Sequence, residues 1–339
     1  MARIVLGMAL SHSPQLHTPA DQWAMRLEAD YKNPALHFRG RSYRYAELLA
    51  LREGERIDRF LGLEEKAQRL RRANAAVEHM ARIYREVQPD VAVIVGNDQH
   101  ELFVEDVMPA MTIYWGEEVR NVPAREDQAR RMPAGIHLAE AGHAPPQPLV
   151  HPGQPSLGRH LIEHAIRAGF DVAQSQWMRE ADQRISFSTG APHAFGFVYR
   201  SVMGDEVIPH VPVILNTFYP PNQPTAARCW TFGQALGRAV REWPHDLRVA
   251  VFGSGGLSHF VIDEDFDRRF MQAVAAGDGA ALGALEESWL QSGTSECKNW
   301  ITAAGMLEGA GLRAEVMEQV ACYRSPAGTG TGTGFVCWR

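Results

Sequence analysis

The chain has 339 residues, 45% of them apolar and 22% charged, a balance that supports a large buried core and excludes a disordered polypeptide. Lys plus Arg total 34 against 40 for Asp plus Glu, a net charge of −6 that argues against nucleic acid or an anionic membrane surface as the main partner. Four cysteines, Cys229, Cys297, Cys322 and Cys337, lack the paired spacing of a zinc ribbon, and a chain this long does not depend on disulfides to fold. No basic segment followed by an apolar one opens the sequence, and no run approaches the roughly twenty apolar residues of a membrane span, so the sequence reads as soluble and cytoplasmic.

The first predicted strand, Ile4 to Leu10, ends in Ser11-His12-Ser13-Pro14, where the proline stops further ladder pairing. Residues 21–53 are aromatic and charged, with Trp23, Tyr31, His37, Phe38, Tyr43 and Tyr45, and read as an insertion. Leu70, Ala73, Val77, Met80, Tyr84 and Val87 recur at steps of three and four, which predicts a long helix ended by Pro89. It feeds a strand, Val91 to Val95, that runs directly into Gly96-Asn97-Asp98-Gln99-His100-Glu101. Residues 117–155 are rich in Pro, Gly, Arg and Glu without periodicity, and predict a long surface excursion suited to covering a site.

Leu157 to Ala168 predicts an amphipathic helix and Phe170 to Ala173 and Val211 to Asn216 two strands, with prolines at 220, 221 and 224 breaking the chain before a helix that reaches Trp243. A further strand, Val249-Ala250-Val251-Phe252, leads into Gly253-Ser254-Gly255-Gly256-Leu257-Ser258-His259. The tail from Gly328 to Gly334 alternates Gly and Thr; with no following Lys or helix it is no phosphate loop, and it reads as a flexible turn. Strands and helices alternate without an internal repeat. The expectation is an α/β fold, a mixed central sheet flanked by helices on both faces, in a single large domain over residues 1–339.

Three strands deliver polar residues to their carboxyl ends: His12, the cluster at Asn97–Glu101, and His259. Ligands of open α/β sheets gather at that edge, so one shared site is expected there. Two other motifs compete with it. His160-Leu161-Ile162-Glu163-His164 matches the H-x-x-E-H pattern of zinc peptidases, but the pattern is short, and Leu157, Leu161, Ala165 and Ile166 already account for an amphipathic helix. Ser254 and Ser258 do not stand in a Gly-x-Ser-x-Gly elbow, which disfavours a serine hydrolase.

Taken in order, Ser11-His12-Ser13-Pro14, Asn97-Asp98-Gln99-His100, Pro192-His193-Ala194-Phe195-Gly196, the stretch Gly253 to His259, and Ser292 to Trp300 resemble the class III extradiol ring-cleavage dioxygenases, the protocatechuate 4,5-dioxygenase β-subunit-like enzymes. The resemblance covers nearly the whole chain and is nearest to the gallate and methylgallate branch. It implies non-haem Fe(II) held by two histidines and one carboxylate, a set that leaves positions open for a catechol and O2. His12 is implied as the first ligand and Glu296, four residues before Trp300, as the carboxylate.

In many members the strand ends in Asp-His, whereas here Asp98-Gln99-His100 puts Gln99 at the ligand position and His100 one residue later. Imidazole is the better iron ligand, so His100 is the expected second histidine with Gln99 as the alternative. Side chains alternate along an extended segment, so the two face opposite ways unless the backbone bulges.

His193 and His259 are implied as the catalytic pair. Ring cleavage needs a phenolic proton removed and a proton returned, which suits the titration range of imidazole, and His259 takes that role. His193, placed before a predicted apolar strand from Ala194 to Val198, would bind substrate and polarise the oxygen intermediate. The expected partners are a small aromatic acid of the gallate, methylgallate or protocatechuate kind and O2, in a homodimer. Two alternatives stand beside this reading: a hydroxypyridine-type ring as substrate, or a non-catalytic binding protein of the same fold whose metal site is degraded at Gln99.

Overall fold

The computed structural model describes residues 1–178 and 190–339. Its strands, in chain order, are β1 (Arg3–Leu10), β2 (Val91–Asn97), β3 (Met111–Tyr114), β4 (Ala173–Ser175), β5 (His210–Leu215), β6 (Arg248–Ser254), β7 (His259–Val261), β8 (Ala314–Tyr323) and β9 (Thr329–Trp338). These nine form one sheet in the order β7-β9-β1-β6-β2-β5-β3-β4, with β8 also paired to β9. The central strands β1, β6, β2 and β5 are parallel. β3 runs antiparallel to β5, and β9 antiparallel to β1, β7 and β8, so the sheet is mixed. Two small two-stranded antiparallel sheets, Leu36–Phe38 with Arg41–Tyr43 and Glu118–Asn121 with Leu149–Pro152, lie outside it.

The apolar runs form central strands because both faces of the sheet are covered. Along β2, Val91, Val93 and Val95 pack in one core with Leu161, Leu236 and Trp300, while Ala92 and Ile94 pack in another with Ala73, Met80 and Phe195. The two-residue period of a strand thus sends alternate side chains to opposite helical layers. On one face lies the helix α1 (Leu63–Val87), which buries Ala73, Val77, Met80 and Tyr84. Its amino end lies seven residues before Leu70 because the first turn faces solvent, Leu63 included, and adds no buried position to the periodic pattern. On the other face lie α2 (Pro155–Arg167), α3 (Ala226–Glu242) and α5 (Cys297–Leu307), with α4 (Glu264–Ala276) between α3 and α5 in sequence. Among the described residues no helix is long and apolar enough to cross a membrane.

Three local expectations are corrected. The strand expected at Phe170–Ala173 lies at Ala173–Ser175, because Phe170 is drawn into the core against Phe232, ring centroids 5.1 Å apart. Residues 194–198 are helical, not extended: a short helix spans His193–Phe197 and continues as a wider π-type turn over Val198–Val202. An apolar run buried on every side reads the same for a helix as for a strand, and Pro192 caps the amino end here.

The Gly-Thr tail is not a flexible turn but β9, buried along its whole length. Its glycines are there for close approach: a Cβ at Gly330 would overlap the Cys322 carbonyl, and one at Gly332 the Asp267 carboxylate. The alternating threonines supply β-branched side chains, and Thr333 Oγ1 donates to the Val320 carbonyl at 2.9 Å.

A buried histidine at the start of β5 makes acid stability testable. His210 Nδ1 meets the Ile208 carbonyl at 3.1 Å and Nε2 meets the Tyr199 hydroxyl at 2.7 Å, and burial pushes its pKa down to about 4. The unfolded chain, with His near 6.5, binds this proton first on acidification, so the stabilisation is present above about pH 6.5 and is lost as pH falls toward 4. Denaturant unfolding of the wild type should lose about 1.4 kcal/mol per pH unit more within this window than His210→Gln does; equal slopes would show that His210 does not set it.

Candidate functional site

The parallel strands β1, β6 and β2 end flush, with Leu10 opposite Ser254 and Val95 opposite Gly253. Residues just beyond those ends therefore meet at one edge: His12 after β1, Ser254 at the end of β6, and Asn97 and Gln99 at and after the end of β2. The loop after β6 returns His259 at the head of β7, the short helix begins with His193, and the 3-10 turn Ser292–Glu296 brings Glu296 in from above α5.

Glu296 is 1% exposed, and its carboxylate is the centre of the group. Oε2 accepts from the Gly256 amide at 2.7 Å and Oε1 from Gln99 Nε2 at 2.8 Å, with Asn97 Nδ2 at 3.4 Å. His12 Nε2 lies 3.1 Å from Oε2 and His259 Nε2 3.7 Å from Oε1. Burial alone would raise the carboxyl pKa, but His12 and His259 outweigh it and hold Glu296 well below the usual range.

The proton inventory fixes which nitrogen each imidazole presents. Ser254 Oγ donates its one hydrogen to the Ala194 carbonyl at 2.6 Å, so at 3.0 Å it can only accept from His12 Nδ1–H. On the neutral ring, which burial favours, His12 Nε2 carries a lone pair, and it is buried without a hydrogen-bond partner although a carboxylate oxygen lies beside it. Burial also lowers the His12 pKa, against the pull of Glu296.

His259 Nδ1 donates to the Leu257 carbonyl at 2.8 Å, and its ring is clamped between two glycines: a Cβ at Gly256 or at Gly293 would overlap it. His193 Nδ1 donates to Glu101 Oε1 at 2.8 Å, and the His193 amide donates to the same oxygen at 2.8 Å. All three rings spend Nδ1 on the scaffold. Burial would lower both of the last two pKa values; Glu101 instead lifts His193 to about 9, and Glu296 raises His259.

The donor set fits a divalent cation. Among the described residues, one group has metal-capable spacing: His12, His193 and Glu296, each with a ligand atom within 4.8 Å of the others'. An orphaned imidazole lone pair beside a buried carboxylate is what a cation or a proton must fill.

His100 does not join this group. Its backbone is left-handed at φ 62, its ring stacks on Tyr219 at 3.7 Å, and its Nε2 faces Glu105 at 3.5 Å. The left-handed bend at His100 turns its ring away and leaves Gln99 and Glu101 on the side of the site. Gln99 reaches the centre as a donor to Glu296. The competing His160 and His164 lie on α2, the first on the Ala239 carbonyl at 2.9 Å and the second facing Glu242 at 3.5 Å, away from the sheet edge.

Ser254 and Gly293 escaped the sequence reading as site residues, and Glu101 entered it only as the last member of the polar cluster Asn97–Glu101, with no role of its own. Only Glu101 had a usable signal, its position two residues after Gln99; the other two act through backbone and tautomer geometry that no spacing encodes. A cavity of about 160 Å3 opens above the group, with His12, Gln99, Glu101 and His193 in its floor and Val122, Met132, Ile136 and His143 in its roof. Residues of the 117–155 excursion thus cover the site. His143 stays neutral there, pushed down to about 3 by burial and then by the His193 charge.

The sequence pattern of the family described as "Catalytic LigB subunit of aromatic ring-opening dioxygenase" matches residues 60–335. Two similar proteins are named 2,3-dihydroxyphenylpropionate/2,3-dihydroxicinnamic acid 1,2-dioxygenase: one from Comamonas testosteroni is 28% identical over 189 residues, covering 55% of this chain and 46% of the relative. The other, from Rhodococcus sp, is 27% identical over 187 residues, covering 55% and 48%. A gallate dioxygenase from Pseudomonas putida is 31% identical over 127 residues, 32% of this chain and 34% of the relative. The chain spans less than half the length of each of these relatives.

Removing the hydroxyl that fixes the His12 tautomer tests the geometry. Ser254→Ala should weaken divalent-metal binding by about ten-fold or more, the usual effect of losing an outer partner of a metal-binding histidine, while His100→Ala leaves it unchanged. Anaerobic cobalt(II) titration of both variants measures this, and a loss confined to His100→Ala would reverse the assignment.

Proposed function

We propose that this chain, which belongs to the family of catalytic LigB subunits of aromatic ring-opening dioxygenases, opens a catechol-type ring with O2 at a centre where His12, Glu296 and His193 hold iron(II). The observation that carries the reading is the convergence of the rings of His12, His193 and His259 on the buried carboxylate of Glu296, beside a cavity that His12 and His193 line. Bound there, iron(II) would supply open positions at which two adjacent phenolic oxygens and O2 meet.

The chain's own residues do the rest. Gln99 and the Gly256 amide orient Glu296, Ser254 holds His12 with Nδ1–H on the scaffold and Nε2 inward, and burial favours the neutral ring. His259 has Nδ1 committed to Leu257, so it exchanges protons only at Nε2, taking one from a phenol and returning one during ring opening. The roof from Val122 to His143 excludes water from the reacting ring.

The relatives' names point to single-ring catecholic acids, and gallate, protocatechuate and a 2,3-dihydroxyphenylpropionate are the proposed substrates. Gln99 motivates a second reading, a ring-binding protein without turnover.

Anaerobic loading with iron(II), followed by O2 uptake and ultraviolet-visible spectra with each acid and with a dihydroxypyridine, separates the two. Oxygen consumption tied to a ring-fission chromophore is expected; failure to bind iron(II) favours the binding protein, and iron(II) bound without reaction means that the substrate is a different ring. His259→Gln should retain metal and lower kcat by about 10²- to 10⁴-fold, the range for losing a general acid-base group. An unchanged kcat would remove His259 from the proton path.

A further inference from the structure

Glu101 stands where the loop after β2 touches the short helix, and nothing in the sequence motifs assigns it a role. The loop is wound tightly around Asp98, whose carboxylate accepts the amides of Glu101 at 3.1 Å, Leu102 at 2.8 Å and Phe103 at 3.0 Å. That winding turns Glu101 inward and His100 outward.

The Glu101 carboxylate then takes both groups that fix a histidine in space. Oε1 accepts the His193 amide and the His193 Nδ1, each at 2.8 Å, and Oε2 lies 3.0 Å from the same Nδ1. With the backbone and one ring nitrogen held, the remaining freedom of the imidazole is small. Its Nε2 edge is left toward His12, ring centroids 4.6 Å apart.

We infer that Glu101 is a positioning residue that makes His193 the second imidazole donor of the metal centre, doing so in a chain whose strand end offers Gln99 in place of a histidine. The inference rests on the iron-dependent reading above and deepens it. Two neighbouring positions act together: Gln99 serves the carboxylate of Glu296 from outside, and Glu101 recruits an imidazole from another element. A carboxylate behind a metal-bound histidine sets its tautomer and raises its basicity, and its loss costs roughly 10- to 100-fold in metal affinity. Glutamine at 101 retains an oxygen able to accept both His193 hydrogens; leucine retains none.

The test is anaerobic cobalt(II) titration of the full chain, read by the visible absorption of the bound ion, for wild type, His193→Gln, Glu101→Leu and Glu101→Gln. Expected is a 10- to 100-fold loss of affinity with a changed spectrum for His193→Gln and Glu101→Leu, and substantial rescue by Glu101→Gln. Since Glu101→Leu can fail to fold, nitrogen-15 spectra of the histidine rings in the wild-type protein titrated with zinc(II) give a second readout. There His193 should keep Nδ1 protonated and shift at Nε2.

An unshifted His193 ring, or full cobalt affinity in both His193→Gln and Glu101→Leu, overturns the inference while His12→Gln and Glu296→Gln still report a metal site. Absence of any divalent-metal binding by the wild type overturns the iron-dependent reading itself, and this inference with it.

Discussion

A carboxylate as deeply buried as Glu296 is stable only if its charge is met on every side, since stripping water from an ion costs several kcal/mol that imperfect partners do not return. The Gly256 amide and Gln99 each donate to it, and the rings of His12 and His259 crowd its two oxygens. With the carboxylate itself, these groups come from four separate parts of the chain. The flush ends of β1, β6 and β2 bring three of them together, and the turn before α5 supplies the carboxylate. The fold and the site are therefore one electrostatic problem, and the parallel register of the sheet is part of its solution.

The same logic explains the small residues around the centre. Gly256 and Gly293 leave room for the His259 ring, and Ser254 is small enough to bridge the His12 ring to the Ala194 carbonyl. A larger side chain at any of these positions displaces an imidazole by more than a metal or a proton transfer tolerates. The roof contributes differently: most of its residues are apolar, its His143 is kept neutral, and Glu140 is the one carboxylate among its lining residues, so it shapes the cavity with little added charge.

How much of this was legible in the sequence depends on whether a signal is local. Central strands announced themselves because a buried parallel strand is apolar throughout, and α1 did so through its three-and-four spacing. His12 and His259 stood out at strand ends and Glu296 through the family resemblance, and the structure brings the three together. His100 misled because the choice between it and Gln99 turns on a single left-handed residue, which spacing does not encode. Residues 194–198 misled because an apolar stretch buried on all sides lacks a face. β9 misled because glycine usually marks a turn; here it marks places where neighbouring backbone and side chains come too near for a Cβ.

β9 also ties the site to assembly order. It follows every residue of the centre in sequence, yet it lies between β1 and β7 and pairs with β8 as well. Ser11, immediately before His12, gives its amide to the Gly334 carbonyl at 3.1 Å and accepts the Gly334 amide on its hydroxyl at 3.0 Å. The support beneath His12 is thus made more than three hundred residues after it, a contact of very long sequence separation that places closure of the sheet late in folding. A nascent chain carrying all its histidines still lacks the platform that aims the first of them, so the geometry of the site belongs to the finished fold and not to the growing one.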